Sequence, residues 1–271
     1  MEFRKKEFDG PYEVSEVQIE IEGQILRGIL YFPAEKYKKP YPVVVHFHGF
    51  PQLFTLTEIV KKYEYLLILG YSLIVFNFRG YRFSEGKISI QSQVSDAFKI
   101  IEFVEIMAKN DIFNVNDVNI LGHDFGAYIA LILCSKIHII NKLLLISPIL
   151  DLKKHVYGDE FSKVLSYINR FLPGNLNGIQ NINDFIELTK NELKIDDFQI
   201  KKFIKNLKFR KMKIITGEND KITPLSEVKG IISQIKNKIE LFVIENMDHD
   251  CVNEDELETL KREILSYFSI K

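Results

Sequence analysis

Hydrophobic positions along the chain alternate between two periods. Val17, Ile19 and Ile21 alternate with Gln18 and Glu20, the period of a half-buried strand. Glu22-Gly23 is a turn signal, and the next run, residues 25–32, predicts the second arm of a hairpin. Residues 43–47, 73–78, 118–121, 142–146, 213–216 and 239–244 are short apolar runs of the kind that form strands buried on both faces. Between them the period becomes helical. Val94, Phe98, Ile101 and Val104 predict a helix over 90–109, and others are expected over 55–69, 224–235 and 254–268. Thr55 and Glu58 form a capping box at the start of the first, and Asn253 suits the cap of the last.

Residues 151–207 break this rhythm. They show no strand signal, hold several aromatics, and are interrupted at Pro173-Gly174-Asn175, so they predict a helical insertion. Strands alternating with helices imply an α/β fold: a mostly parallel eight-stranded sheet, antiparallel at its opening hairpin, with helices on both faces. The expected organisation is a core of residues 1–150 and 208–271, with 151–207 as a small helical cap.

One stretch stands out chemically. Residues 118–121 form a short strand, Gly122-His123-Asp124-Phe125-Gly126 follows, and a helix begins near Ala127. Strand, G-x-D-x-G, helix is the layout of a nucleophile elbow, in which a strained central residue is pushed above the sheet edge. Gly122 and Gly126 are expected to face each other across that turn. The usual occupant of the tip is Ser; here it is Asp124.

Composition narrows the function. The 271 residues carry 36 basic and 37 acidic side chains and no basic patch interleaved with aromatics, which argues against nucleic acid and anionic membrane as partners and leaves a small-molecule substrate. The opening MEFRKKEF lacks the apolar centre of a signal peptide, and no run reaches the roughly 18 apolar residues of a spanning helix. A cytoplasmic location is expected; these patterns leave the oligomeric state open. Two cysteines, Cys134 and Cys251, make neither a zinc pattern nor a disulfide framework, so no metal and no cofactor is expected.

In a parallel sheet, ligands bind at the carboxyl ends of the strands. His48-Gly49-Phe50-Pro51 follows the third expected strand, Asp124 the fifth, Asp220 the seventh and His249 the eighth. Nucleophile, acid, His in that order resembles the α/β-hydrolase superfamily, as does the Arg-Gly-x-x-x-Ser-x-Gly run from Arg79 to Gly86. The resemblance covers residues 15–270 approximately. It implies a catalytic set of Asp124, Asp220 and His249, with Asp248 and Asp250 as alternative acids beside the histidine, and an oxyanion hole from the backbone N–H groups of Phe50 and Phe125. Arg79 and Ser84 match scaffold positions of the family, and His46 and His123 read as structural.

A carboxylate at the tip changes the chemistry. Against an ester or amide carbonyl it would form an anhydride, a poor route for acyl transfer. Against a saturated carbon it forms an alkyl ester, which water activated by a histidine can cleave. Gly-His-Asp-Phe-Gly and His-Gly-Phe-Pro resemble the elbow and oxyanion-hole motifs of epoxide hydrolases and haloalkane dehalogenases, whereas residues 27–49 look more like esterases and acyl-peptidase relatives. Dehalogenases hold halide with Trp N–H groups, and this chain has no Trp. Epoxide hydrolases use cap tyrosines, a role for which Tyr157 and Tyr167 are placed in the insertion; His48 is a further substrate-side candidate. Three readings stand: an Asp-nucleophile hydrolase resembling epoxide hydrolases, an esterase- or peptidase-like hydrolase with an atypical Asp, and a non-catalytic ligand-binding relative.

Overall fold

Alternate residues of the central strands enter different cores. Val43, Val45 and Phe47 of β4 (Tyr41–Phe47) join one, and Val44 joins the other; Leu143 and Leu145 of β7 (Ile140–Ile146) are likewise separated from Leu144. In the computed structural model, which describes residues 7–172 and 178–269, this sheet also contains β1 (Glu7–Asp9), β2 (Tyr12–Ile21), β3 (Gln24–Tyr31), β5 (Ser72–Asn77), β6 (Phe113–His123), β8 (Lys211–Gly217) and β9 (Glu240–Ile244). The spatial order is β1-β2-β3-β5-β4-β6-β7-β8-β9. Strands β1, β2, β3 and β5 pair antiparallel in sequence, and β5, β4, β6, β7, β8 and β9 run parallel.

Among the described residues the sheet has nine strands rather than the eight expected from the sequence. The addition is β1, which pairs Glu7–Asp9 with Tyr12–Val14 at the edge. All three of its residues are exposed, so it carries no apolar alternation to signal it. The expected 118–121 strand is also longer, since β6 starts at Phe113.

One face of the sheet is covered by α1 (Leu56–Lys62), α2 (Tyr65–Ile68) and the C-terminal α10 (Glu254–Ser269). The other carries α3 (Ile90–Lys109), α4 (Phe125–Lys136) and α9 (Leu225–Ile232). The Thr55–Glu58 capping box is present, but the expected 55–69 helix is two pieces, because α1 ends at Tyr63, whose N–H is shared among the carbonyls of the last turn. Between β7 and β8 come α5 (Leu152–Tyr157), α6 (Asp159–Phe171), α7 (Ile182–Glu192), α8 (Ile200–Phe203) and two 3-10 turns, with no strand among the described residues. The expected break at Pro173-Gly174-Asn175 lies outside the described residues. Phe161 of α6 and Phe185 of α7 pack on Phe50, at the carboxyl end of β4.

Two features position the site. Strand β4 lies between β5 and β6, so the connections leaving β4 and β6 diverge at their carboxyl ends and open a crevice there. Beside it, Arg79 anchors the loop after β5. Its Nε donates to Asp96 Oδ1 at 2.6 Å and its backbone N–H to Oδ2 at 2.7 Å, both side chains being buried. Ser84 is committed to the same scaffold, donating to the Asn77 carbonyl and accepting from the Arg27 N–H. Among the described residues no helix is long and apolar enough to cross a membrane.

Candidate active site

Strand β6 passes into α4 through Asp124, whose backbone sits at φ 52°, ψ −119°. Positive φ costs a residue with a Cβ of order 1–3 kcal/mol and persists only where surroundings impose it. They do so here: the Asp124 N–H donates to the Ile146 carbonyl at the end of β7, and its carbonyl accepts from Ile149 and Ala127. Gly122 faces Gly126 across the turn, where a Cβ on Gly122 would stand 3.2 Å from the Gly126 carbonyl oxygen, and each glycine also permits a further close approach. A Cβ on Gly126 would lie 2.2 Å from the Phe47 carbonyl oxygen, and one on Gly122 would lie 2.8 Å from the Ala127 Cα. The glycines therefore let α4 approach both β4 and its own strand.

Asp124, Asp220 and His249 are brought together from three connections. His249 Nδ1 lies 2.9 Å from Asp220 Oδ2, and Nε2 lies 3.2 Å from Asp124 Oδ1. Asp220 is held by the N–H groups of Ile222 and Thr223, which both donate to its Oδ1. Asp248 and Asp250 are exposed, and Asp220 is the carboxylate that meets the histidine. Burial opposes charge on the His249 ring, but the hydrogen bonds and charges of Asp124 and Asp220 outweigh it and push its pKa up to about 10. Both ring nitrogens then carry hydrogen and donate to the flanking carboxylates. For Asp124, burial raises the pKa, yet the net direction is downward because His249, His123 and the Phe125 N–H favour the anion. The resting site is an imidazolium between two carboxylates.

The other Asp124 oxygen occupies the expected oxyanion hole. The Phe50 N–H donates to Oδ2 at 2.6 Å, and the Phe125 N–H faces the same carboxylate. Gly49 makes room for this: a Cβ there would stand 2.5 Å from Oδ2. That steric role escapes a sequence reading, since Gly49 and Asp124 are 75 positions apart and meet only when β4 and β6 pair.

A narrow apolar pocket, partly open to solvent, lies beside the elbow, walled by Phe50, Phe125, Phe161, Phe185, Gln93 and His155 among others. Asp124, 6% exposed, is not a lining residue; it adjoins the part of the wall made by Phe50 and Phe125, whose N–H groups touch it. Three expected substrate contacts are corrected. Tyr157 and Tyr167 are exposed by 50% and 62% and line no part of this cavity; Tyr157 borders an outer groove, and Tyr167 packs on Phe171. Helical phase explains it, because α5 and α6 turn Val156, Phe161, Leu165 and Ile168 inward instead. His48 is 1% exposed with both ring nitrogens engaged: Nε2 accepts from the Phe78 N–H, so Nδ1 donates to the Gly49 carbonyl. Burial lowers its pKa to about 4, consistent with a neutral ring shaping the loop. His155, by contrast, lines the cavity without having been singled out, because nothing in a helical insertion marks which histidine faces inward.

A doubly wound sheet with an elbow at one strand end and a histidine after the last strand defines a class. The chain belongs to the alpha/beta hydrolase fold family, whose pattern it matches over residues 42–191. It is 26% identical over 153 residues to the lysophosphatidylserine lipase ABHD12 of Bos taurus and 28% identical over 149 residues to that of Danio rerio. These matches take in 53% and 52% of this chain but only 37% of either relative's length. Among solved structures, Est1E from Butyrivibrio proteoclasticus is similar with a TM-score of 0.68 at 18% identity, covering 93% of this chain and 97% of that one. An esterase from Pyrococcus furiosus is similar with a TM-score of 0.69 at 18% identity, covering 95% and 90%. At such identities the structural likeness carries the fold.

Proposed function

We propose that this protein is an Asp-nucleophile hydrolase resembling epoxide hydrolases: Asp124 attacks a saturated carbon of a small organic substrate, and the resulting alkyl ester is cleaved by water. The observation that carries this reading is the 2.6 Å hydrogen bond from the Phe50 N–H to Asp124 Oδ2. In a serine hydrolase the oxyanion hole receives an oxygen of the substrate. Here an oxygen of the nucleophile's own side chain fills it. Such a hole stabilises a tetrahedral oxyanion formed on Asp124 Cγ, which arises when water attacks an ester of Asp124.

The charge arrangement supports two steps. In the resting site Asp124 is anionic, and Oδ1 supplies the nucleophile without a base. Alkylation removes the negative charge that favours the His249 imidazolium. Burial, which opposes charge on the ring, then lowers its pKa, so His249 gives up a proton and becomes the base for water. Asp220, fixed by the N–H groups of Ile222 and Thr223, orients the ring and returns it to the imidazolium as the carboxylate is restored. Helices α5, α6 and α7 serve as the cap, supplying Leu152, His155, Val156, Phe161, Phe185 and Thr189 to the pocket wall.

A second reading, an esterase-like hydrolase, draws support from the relatives named as a lipase and as esterases. It lacks an oxyanion site open to a substrate carbonyl, because Asp124 Oδ2 holds it. The deciding experiment is intact-mass and peptide analysis of His249→Gln after incubation with a small epoxide. The expected result is a stable adduct on the peptide containing Asp124, absent in Asp124→Asn. A His249→Gln protein that binds epoxides yet never gains mass would remove the covalent mechanism.

A further inference from the structure

We propose that His155 is the group in the helical segment that holds the leaving oxygen, donating a ring N–H to it as the carbon–oxygen bond breaks. The inference rests on the Asp124-nucleophile reading and names the class of substrate that the site accepts: an uncharged, apolar epoxide.

Ring opening places negative charge on an oxygen, and a cavity with aromatic walls cannot solvate it. A donor is required within that cavity, and Tyr157 and Tyr167 are outside it. Among the described residues that line it, His155 alone is titratable. The Thr189 hydroxyl hydrogen is committed to the Phe185 carbonyl, and Ser89 is held at the cap of α3, where its Oγ accepts from the Ser92 N–H. The Gln93 side chain is engaged with Tyr81 and leaves its acceptor Oε1 unpartnered. The His155 ring makes no hydrogen bond to another described residue, and it is fixed edge-on against Phe161 with centroids 5.2 Å apart. It is close enough to the catalytic groups to feel the charges of both Asp124 and His249. Its helix is anchored at the N-cap, where Asp151 accepts from the Lys154 N–H at 2.9 Å.

Burial lowers the pKa of His155, so the ring is neutral over the ordinary working range and acts as a hydrogen-bond donor, not as a store of charge. In the step itself, Asp124 Oδ1 bonds to carbon while the carbon–oxygen bond of the epoxide breaks, and its electron pair stays on the ring oxygen. His155 N–H stabilises that alkoxide. In the parent protein the proton that completes the hydroxyl is the one His249 releases as Asp124 loses its charge; in His249→Gln the alkoxide takes its proton from water, leaving hydroxide, so the adduct still forms. Among the described residues no charged side chain lines the pocket, which disfavours substrates with an ionic group at this end and favours alkyl or aryl epoxides.

The test measures adduct formation on Asp124 in the His249→Gln background, with and without His155→Phe, using styrene oxide and an alkyl bromide of similar size. Bromide leaves as a weak base and takes no proton. We expect His155→Phe to slow the epoxide adduct by about 100-fold or more, within the range of acid catalysis by one side chain, and the bromide adduct by less than about 10-fold on the same basis. His155→Gln, which keeps an N–H donor, should recover part of the epoxide rate. Equal slowing of both electrophiles, or no slowing, overturns the role of His155 and leaves the Asp124 nucleophile standing. No adduct from either electrophile in the His249→Gln parent overturns the nucleophile reading, and this inference with it.

Discussion

The backbone N–H of Phe50 donates to Oδ2 of Asp124 at 2.6 Å, so the residue at the tip of the elbow occupies the hole beside it. Shortening that side chain empties the hole. Asp124→Ser should therefore leave the Phe50 and Phe125 N–H groups free to receive a substrate carbonyl, with His249 beside the hydroxyl. We expect p-nitrophenyl ester hydrolysis to rise above that of the parent. Each such donor is worth about 10²–10³ in kcat where measured. A folded Asp124→Ser protein with no esterase activity would mean that the hole is not shaped for acyl transfer.

Gly49→Ala tests the approach between the loop after β4 and the nucleophile. Its Cβ would sit 2.5 Å from Asp124 Oδ2 and 2.8 Å from the Asp124 Cβ, so the carboxylate must move. Displacement of a reacting group by around 1 Å costs about 100-fold. The expected result is that loss in the rate of Asp124 alkylation, with an unchanged circular dichroism spectrum. Full activity in Gly49→Ala would show that the carboxylate does not need the position seen here.

Stability should depend on pH through His249. Its folded pKa of about 10 exceeds the unfolded value near 6.5, so folding takes up a proton between them. The stabilisation is complete below pH 6.5 and is lost as pH rises through about 10. Asp124→Asn removes one of the two charges that hold the proton and should flatten the slope. Denaturant unfolding of both proteins at pH 6, 8 and 10 measures this, and parallel slopes would show that Asp124 does not govern the titration of His249.

Tyr157→Phe and Tyr167→Phe, separately and together, should keep kcat and KM within about twofold, as for surface changes with little effect on structure. Both side chains are exposed and outside the cavity, so their hydroxyls have no route to a substrate there. A loss of 100-fold or more in kcat for either variant would require the helical segment to adopt a different arrangement during turnover.

Most of the sheet can be read along the chain because burial on two faces leaves an unmistakable mark. Runs such as residues 43–47 and 142–146 admit few alternatives once helical periods lie between them. The N-terminal edge strand left no mark, since Glu7–Asp9 are all exposed and are held by pairing with β2 and by the Tyr31 hydroxyl, which donates to Asp9. Asp124, Asp220 and His249 were identifiable by their places after particular strands. In a doubly wound sheet those places converge on one edge, and chain order alone then brings distant residues together.

The cavity wall follows a different rule. The sequence places Tyr157, Tyr167, His155 and Phe161 in helices, but which of them faces inward depends on how α5, α6 and α7 rotate against one another and against Phe50. That rotation is settled by packing many side chains at once. Short amphipathic helices beside one another do not encode it locally. The same holds for the oxyanion hole. Gly49-Phe50 and Asp124 are recognisable as motifs along the chain. That the carboxylate turns one oxygen into the hole and the other toward His249 is decided by the pairing of β4 with β6, which brings the Phe50 N–H within 2.6 Å of it.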